Sequence, residues 1–170
     1  MDLSECEVMN EVSCKNLNSD CAIQQANQGD IEGILSIIRP LEKTGALVKR
    51  SKKRIEEDID AFLIAKWKKQ IIGCCAIFGH ADKAELACIA VHEEFRREKR
   101  FPNIGGRLLS AGEELARNQG INTLFVLTTQ ARDWFIKKGF MDASIEDLPA
   151  QKKELYNWQR QSKILSKPLS

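Results

Sequence analysis

The pattern of apolar residues changes character near His92, and that change limits the folds open to the chain. Before it, residues 62–67 and 71–78 are two β-rich runs around the lysine-rich turn 68–70, which reads as an antiparallel hairpin. Residues 85–91, ELACIAV, form another strand. After it, a loop over 92–103 leads into a helix over 104–118 closed by Gly120. A strand over 122–128, a helix over 131–138 ending at Gly139 and a short strand over 140–143 follow. An antiparallel front followed by alternating strands and helices predicts an α/β (mixed α+β) domain, with helices on both faces of a mixed sheet.

The flanks fit that frame. Residues 21–26 read as a strand, and Asn27 or Asp30 can cap a helix whose apolar face is Ile31, Ile34, Leu35 and Ile38. Pro40 marks its expected end. Ser51 can cap a second, highly charged helix with Ile55, Ile59 and Phe62 on its buried side. Pro149 starts a further helix to about Trp158, and 162–165 is a last strand. Residues 1–20 carry Asp2, Glu5, Glu7, Glu11 and Asp20 against Lys15, and read as a mobile acidic leader. Residues 21–170 are then one domain, as 170 residues allow.

Composition excludes several function classes. A net charge of +2 is too small to argue for nucleic acid. The basic run 49–54 is offset by Glu56, Glu57, Asp58 and Asp60, and no aromatic residues interleave with it to stack bases. No apolar run approaches the roughly 20 residues of a membrane span, and the N-terminus reads as neither a signal nor a transit peptide. The six cysteines include no C-x-x-C pair. Cys74 and Cys75 should face opposite sides of a strand, and all six read as reduced thiols of a cytoplasmic protein. With His80 and His92 the sole histidines, no metal site is expected.

Residues 87–109, ACIAVHEEFRREKRFPNIGGRLL, run from a strand through a basic loop into a helix. Free amides at a helix N-terminus, aided by the helix dipole, make an anion cradle. Gly105 and Gly106 permit close approach to the backbone, and Arg96, Arg97, Lys99 and Arg100 supply charge for phosphates. Glu85, at the start of the central strand, is the candidate general base, working through a water. His92 is the alternative base.

Arg100-Phe101-Pro102-Asn103-Ile104-Gly105 resembles the Q/R-x-x-G-x-G/A motif of the GNAT acetyltransferases, with Asn103 for the first glycine. Asparagine tolerates unusual backbone angles better than most residues. The run 131–140 resembles the family's A-x-x-F-Y-x-x-x-G-F segment. The resemblance implies a GNAT fold, with a mostly antiparallel sheet splayed around an acetyl-CoA site. It implies that Arg96, Arg100, Asn103, Gly105 and Gly106 hold the coenzyme's pyrophosphate. It also implies that the backbone of Ile89, Ala90 and Val91 holds the pantetheine arm. The tyrosine that many members use to protonate the leaving thiolate is Phe135 here, so Thr128, Thr129 or water must serve, or the thiolate leaves unprotonated.

A closer resemblance spans about 22–168, on IIRPLE at 37–42, LVKRS at 47–51, ELACIAVH at 85–92, LFVLTT at 124–129, and Leu148-Pro149 through Tyr156-Asn157-Trp158-Gln159-Arg160-Gln161-Ser162-Lys163. It is to the acetyltransferase domain of the bacterial and plant N-acetylglutamate synthases. That implies acetyl transfer from acetyl-CoA to the α-amine of L-glutamate, the opening step of arginine biosynthesis. Leu47, Lys49, Arg160 and Ser162 match the residues that hold glutamate, with lysine at 49 where arginine is usual. The implied partners are a small-molecule acceptor and either a homo-oligomer or a separate arginine-sensing, kinase-like protein. The loop before Gly105 is a few residues longer than the family's, and its kinase-like domain has no counterpart in this sequence. A GNAT enzyme for another amine, or a non-catalytic acyl-CoA-binding module, are the alternatives.

Overall fold

The structure, a computed structural model, describes residues 21–96, 103–156 and 160–169. The acidic leader, the loop cations Arg97, Lys99 and Arg100, and Trp158 lie outside the described residues. Among the described residues, seven strands form one sheet in the order β1-β2-β3-β4-β5-β7-β6. They are β1 (Cys21–Gln25), β2 (Phe62–Trp67), β3 (Gln70–His80), β4 (Lys83–Val91), β5 (Thr123–Thr128), β6 (Met141–Asp142) and β7 (Lys163–Pro168). Every neighbouring pair is antiparallel except β4 with β5.

Among the described residues, five α-helices accompany the sheet: α1 (Ile31–Lys43), α2 (Lys52–Glu57), α3 (Ile104–Asn118), α4 (Arg132–Lys137) and α5 (Ala150–Leu155). On one face, Ile34 and Ile38 of α1 and Ile55 of α2 pack with Ile64, Cys74 and Cys88. On the other, Leu108 of α3 and Phe135 of α4 pack with Cys75, Leu86, Leu124 and Leu165. Cys74 and Cys75 thus join different cores, as alternation along a strand requires. A smaller cluster of Phe125, Leu148 and Ile164 anchors the segment before α5.

Several boundaries depart from the sequence reading. Pro40 does not end α1, which continues to Lys43. Proline at 40 leaves the carbonyl of Ser36 without its helical donor, but Ser36 is exposed, so water can satisfy it. Ser51 does cap α2, accepting from Arg54 N at 3.1 Å, but the helix ends at Glu57. A 3-10 turn over 59–61 follows, and Phe62 belongs to β2. The α-helix α5 stops at Leu155, while β7 runs on to Pro168 because it pairs along all of β5.

Two irregularities position the site. The β4–β5 ladder joins Lys83, Ala84 and Glu85 to Thr123, Leu124 and Phe125 and then stops, so the strands part beyond Glu85. On the other edge of β4 the register slips between the pairs Cys74–Ala90 and Ala76–Ala87. The extra residue falls at Cys88, whose φ is +54°. A bulge bends its strand and re-aims the residues beyond it.

Candidate functional site

Where β4 and β5 separate, a cleft of about 1630 Å3 opens. Its two halves meet at Glu85. The first half lies between the parted strands and the start of α3. Strand edges that no longer pair with each other leave backbone donors and acceptors for another molecule. Asn103 precedes α3 in the left-handed region, φ 64° and ψ 38°. Its side chain does not cap the helix; Oδ1 instead accepts from Lys138 Nζ at 3.4 Å. The first-turn amides of α3, which no helical carbonyl can reach, are therefore without a side-chain cap. A Cβ on Gly106 would fall 2.2 Å from Asn103 Oδ1, and one on Gly105 would stand 3.3 Å from Trp134 Cζ2. A side chain at 106 would displace that of Asn103, and one at 105 would crowd Trp134. Arg96 folds back, its Nε donating to Val91 O at 2.9 Å.

The second half is built from the loop after α1, the start of β4 and the segment before β7. Glu85, two residues into β4, is 5 % exposed. Three cations surround it. Arg50 NH2 stands 4.0 Å from Oε1, and Lys152 Nζ 2.7 Å from Oε2. The Lys152 contact lies outside hydrogen-bonding geometry, so Oε2 has no hydrogen-bond partner among the described residues. Burial lowers the pKa of Arg160, and the attraction of Glu85 opposes that shift. Arg160 NH2 donates to Ala46 O at 3.1 Å, which ties the C-terminal segment to the loop after α1. Ser162 is buried, and its carbonyl accepts from the Tyr156 hydroxyl at 2.6 Å.

The structure brings almost the whole set of sequence-predicted residues to this one cleft. Leu47, Lys49, Glu85, Ile89, Ala90, Val91, Arg96, Asn103, Gly105, Gly106, Thr128, Arg160 and Ser162 all line it. Arg100 lies outside the described residues. Thr128 is buried, and its Oγ1 accepts from Ala131 N at 3.0 Å, leaving its own proton to donate elsewhere. Thr129 is turned away: its hydroxyl donates to Gly45 O at 3.0 Å. His92 is no part of the lining; its Nδ1 accepts from Glu94 N, and its ring meets Phe95 edge-on.

Burial raises the pKa of Cys88, with Arg50 opposing, so the thiol stays protonated and is a poor nucleophile. Sequence reasoning missed Lys152, whose place beside Glu85 depends on how α5 docks. Among the described residues, no cluster of three or more histidine, cysteine or acidic side chains could hold a metal ion. No helix there is long and apolar enough to cross a membrane.

A glutamate buried among cations, beside a strand gap and a glycine-bearing helix start, suits proton removal next to an anionic ligand. The family model described as an acetyltransferase (GNAT) domain matches residues 58–142. The chain belongs to the GNAT acetyltransferase family.

Among curated relatives, it is 46% identical over 143 residues to an amino-acid acetyltransferase of Aeromonas salmonicida, covering 83% of this chain and 31% of that protein. With the corresponding protein of Vibrio vulnificus the identity is 42% over 149 residues, 86% of this chain and 33% of the other. The chain thus spans about a third of the length of these relatives. Among solved structures, N-acetylglutamate synthase from Neisseria gonorrhoeae, complexed with coenzyme A and N-acetyl-glutamate, superposes with a TM-score of 0.83 at 37% identity. That match covers 88% of this chain and 35% of the other.

Proposed function

We propose that the protein is an N-acetyltransferase that moves the acetyl group of acetyl-CoA to the α-amine of L-glutamate. The observation that carries this reading is Glu85, buried at the junction of the two half-clefts with Arg50 and Lys152 against it. The coenzyme supplies an acetyl thioester whose carbonyl carbon is the electrophile. Gly105, Gly106 and the uncapped amides of α3 suit its pyrophosphate, and the parted edges of β4 and β5 suit its extended arm.

Glu85 takes a proton from the acceptor's ammonium through a water, which frees the nitrogen lone pair for attack. Backbone N–H groups at Ile89 or Ala90, just past the bulge, stabilise the charge that develops on the carbonyl oxygen. Thr128 can give its hydroxyl proton to the departing sulfur and recover one from water. Arg160 and Lys49 hold the acceptor's carboxylates, assisted by Leu47 and Ser162. Lysine keeps the charge at 49 without the two-pronged grip of a guanidinium, so Arg160 carries the firmer contact. This reading brings with it a cytoplasmic location, a place at the opening of arginine biosynthesis, and either self-assembly or a separate arginine-sensing partner.

Thiol release from acetyl-CoA in the presence of a panel of amines tests it. Glutamate should stand out among the acceptors, with N-acetylglutamate as product. No release with glutamate would overturn the assignment. Arg160→Ala should raise the KM for glutamate about ten- to hundredfold, the loss expected for one charge-assisted pair. Acetyl-CoA affinity should barely change.

A further inference from the structure

The acceptor half of the cleft holds more positive charge than Glu85 can balance. Lys49, Arg50, Lys152 and Arg160 line it together with Glu85. Four cations against one carboxylate leave positive charge in excess. Buried charge persists where a counter-charge meets it. An amino acid with two carboxylates and a neutral, reactive amine carries two negative charges and offsets most of that excess.

Lys152 is the cation placed to respond to such a ligand. It is the third residue of the six-residue helix α5, and its side chain is 21% exposed. Its ammonium touches Glu85 Oε2 at 2.7 Å but outside hydrogen-bonding geometry, and that oxygen has no hydrogen-bond partner among the described residues. The contact is therefore an ion pair without a directed hydrogen bond. An ammonium has three donors on a flexible stem and can turn to a second carboxylate. Arg50 also has an Nε without a hydrogen-bond partner among the described residues, but its guanidinium lies over the Phe78 ring at 5.1 Å and its main chain is held by Glu42 and Arg39. Arg160 is tied to Ala46.

Resting on the acetyltransferase reading above, we infer that Lys152 is a specificity-determining residue of the acceptor site. It shields Glu85 while the site is empty and shifts to the acceptor's side-chain carboxylate when a dicarboxylic amino acid binds. The shift bares Glu85 Oε2 for the proton of the acceptor's ammonium. An acceptor without that carboxylate gives Lys152 nowhere to go, so it binds weakly and meets an obstructed base.

The test compares L-glutamate with L-glutamine, which has nearly the same shape and lacks the side-chain charge. Wild type should prefer glutamate in kcat/KM. Lys152→Met should cut that preference about tenfold or more, chiefly through the KM for glutamate, as loss of one charge-assisted contact predicts. Lys152→Arg should retain most of it. Acetyl-CoA affinity, measured by calorimetry, should be the same in all three proteins. Lys152→Gln is the second neutral variant should the methionine protein fail to fold.

An unchanged glutamate-to-glutamine ratio in a folded neutral variant overturns the inference, as does an equal loss on both acceptors. Wild type that acetylates both amino acids equally also overturns it. The acetyltransferase reading survives all three results. Wild type that releases thiol with neither amino acid removes the glutamate reading itself, and this inference with it.

Discussion

Arg50 shows how side chains just behind the cleft lining can shape it. Its N–H donates to Glu42 Oε2 at 2.8 Å, and its carbonyl accepts from Arg39 NH1 at 2.6 Å. Arg39 and Glu42 are also ion-paired to each other, one turn apart on α1. This clamp exists only because α1 continues past Pro40 to place Glu42 on the helix. Glu42→Ala should therefore disturb the acceptor half of the site and spare the coenzyme half. Buried partners left unsatisfied cost about 1–3 kcal/mol, so we expect a KM for glutamate raised about tenfold with acetyl-CoA affinity unchanged. Glu42→Gln should recover part of the loss, because an amide oxygen can still accept from Arg50 N–H. Steady-state kinetics beside calorimetry decides it, and equal weakening of both ligands would refute the positioning role. The place of Glu85 near the start of β4 was legible in the sequence because ELACIAV reads as a strand. The clamp was not, because proline at 40 argued for a helix end and hid the last turn.

At the scale of elements, α3 depends on close approach at two glycines. A Cβ at Gly73 would lie 2.9 Å from Leu108 Cδ1 and 3.2 Å from Ala90 O, so β3 and α3 meet there without room for a side chain. Gly73→Ala should cost about 1–3 kcal/mol by overpacking, read as a lower denaturant midpoint. Gly105→Val acts on a different contact of α3, with Trp134 and Val91. Its side chain would press on Trp134 inside the cleft, with the core behind it intact. Acetyl-CoA affinity should fall severely, with a smaller change in stability than Gly73→Ala shows. Unchanged affinity in a folded Gly105→Val protein would remove the coenzyme from this loop. Helix α3 was legible end to end, because its apolar period and the Asn103 and Gly120 flanks agree. Helix α2 and strand β6 were read too long. Their ends follow from the pairing of β2 with β3 and of β6 with β7, which local pattern does not encode.

For the whole molecule, the sheet is two leaves joined where β4 meets β5 over three residue pairs. Across the opening, Arg160, Gln130 and Thr129 donate to the carbonyls of Ala46, Thr44 and Gly45, so the loop after α1 straps the leaves together beside the acceptor. Besides Cys21, the first leaf carries the buried thiols Cys74, Cys75 and Cys88. Burial raises all three, the Cys75 thiol to about 12, with repulsion from Cys88 adding to it. The sign of the linkage follows. In the unfolded chain these thiols ionise near pH ~8.5, so above that pH the unfolded state has lost protons that the folded state keeps. Their contribution to stability is complete below that value and declines as pH rises towards the folded values. The decline reaches at most about 1.4 kcal/mol per pH unit per thiol. Cys75→Ala removes one such term and leaves other alkaline titrations in place. Urea midpoints of wild type and Cys75→Ala should run parallel from pH 7 to about 8.5. Above that the wild type should fall more steeply, narrowing or reversing any stability lead it holds at neutral pH. Curves that stay parallel to pH 10.5 would mean that the Cys75 thiol ionises as readily in the fold as outside it, and that the core between β3 and α3 admits water.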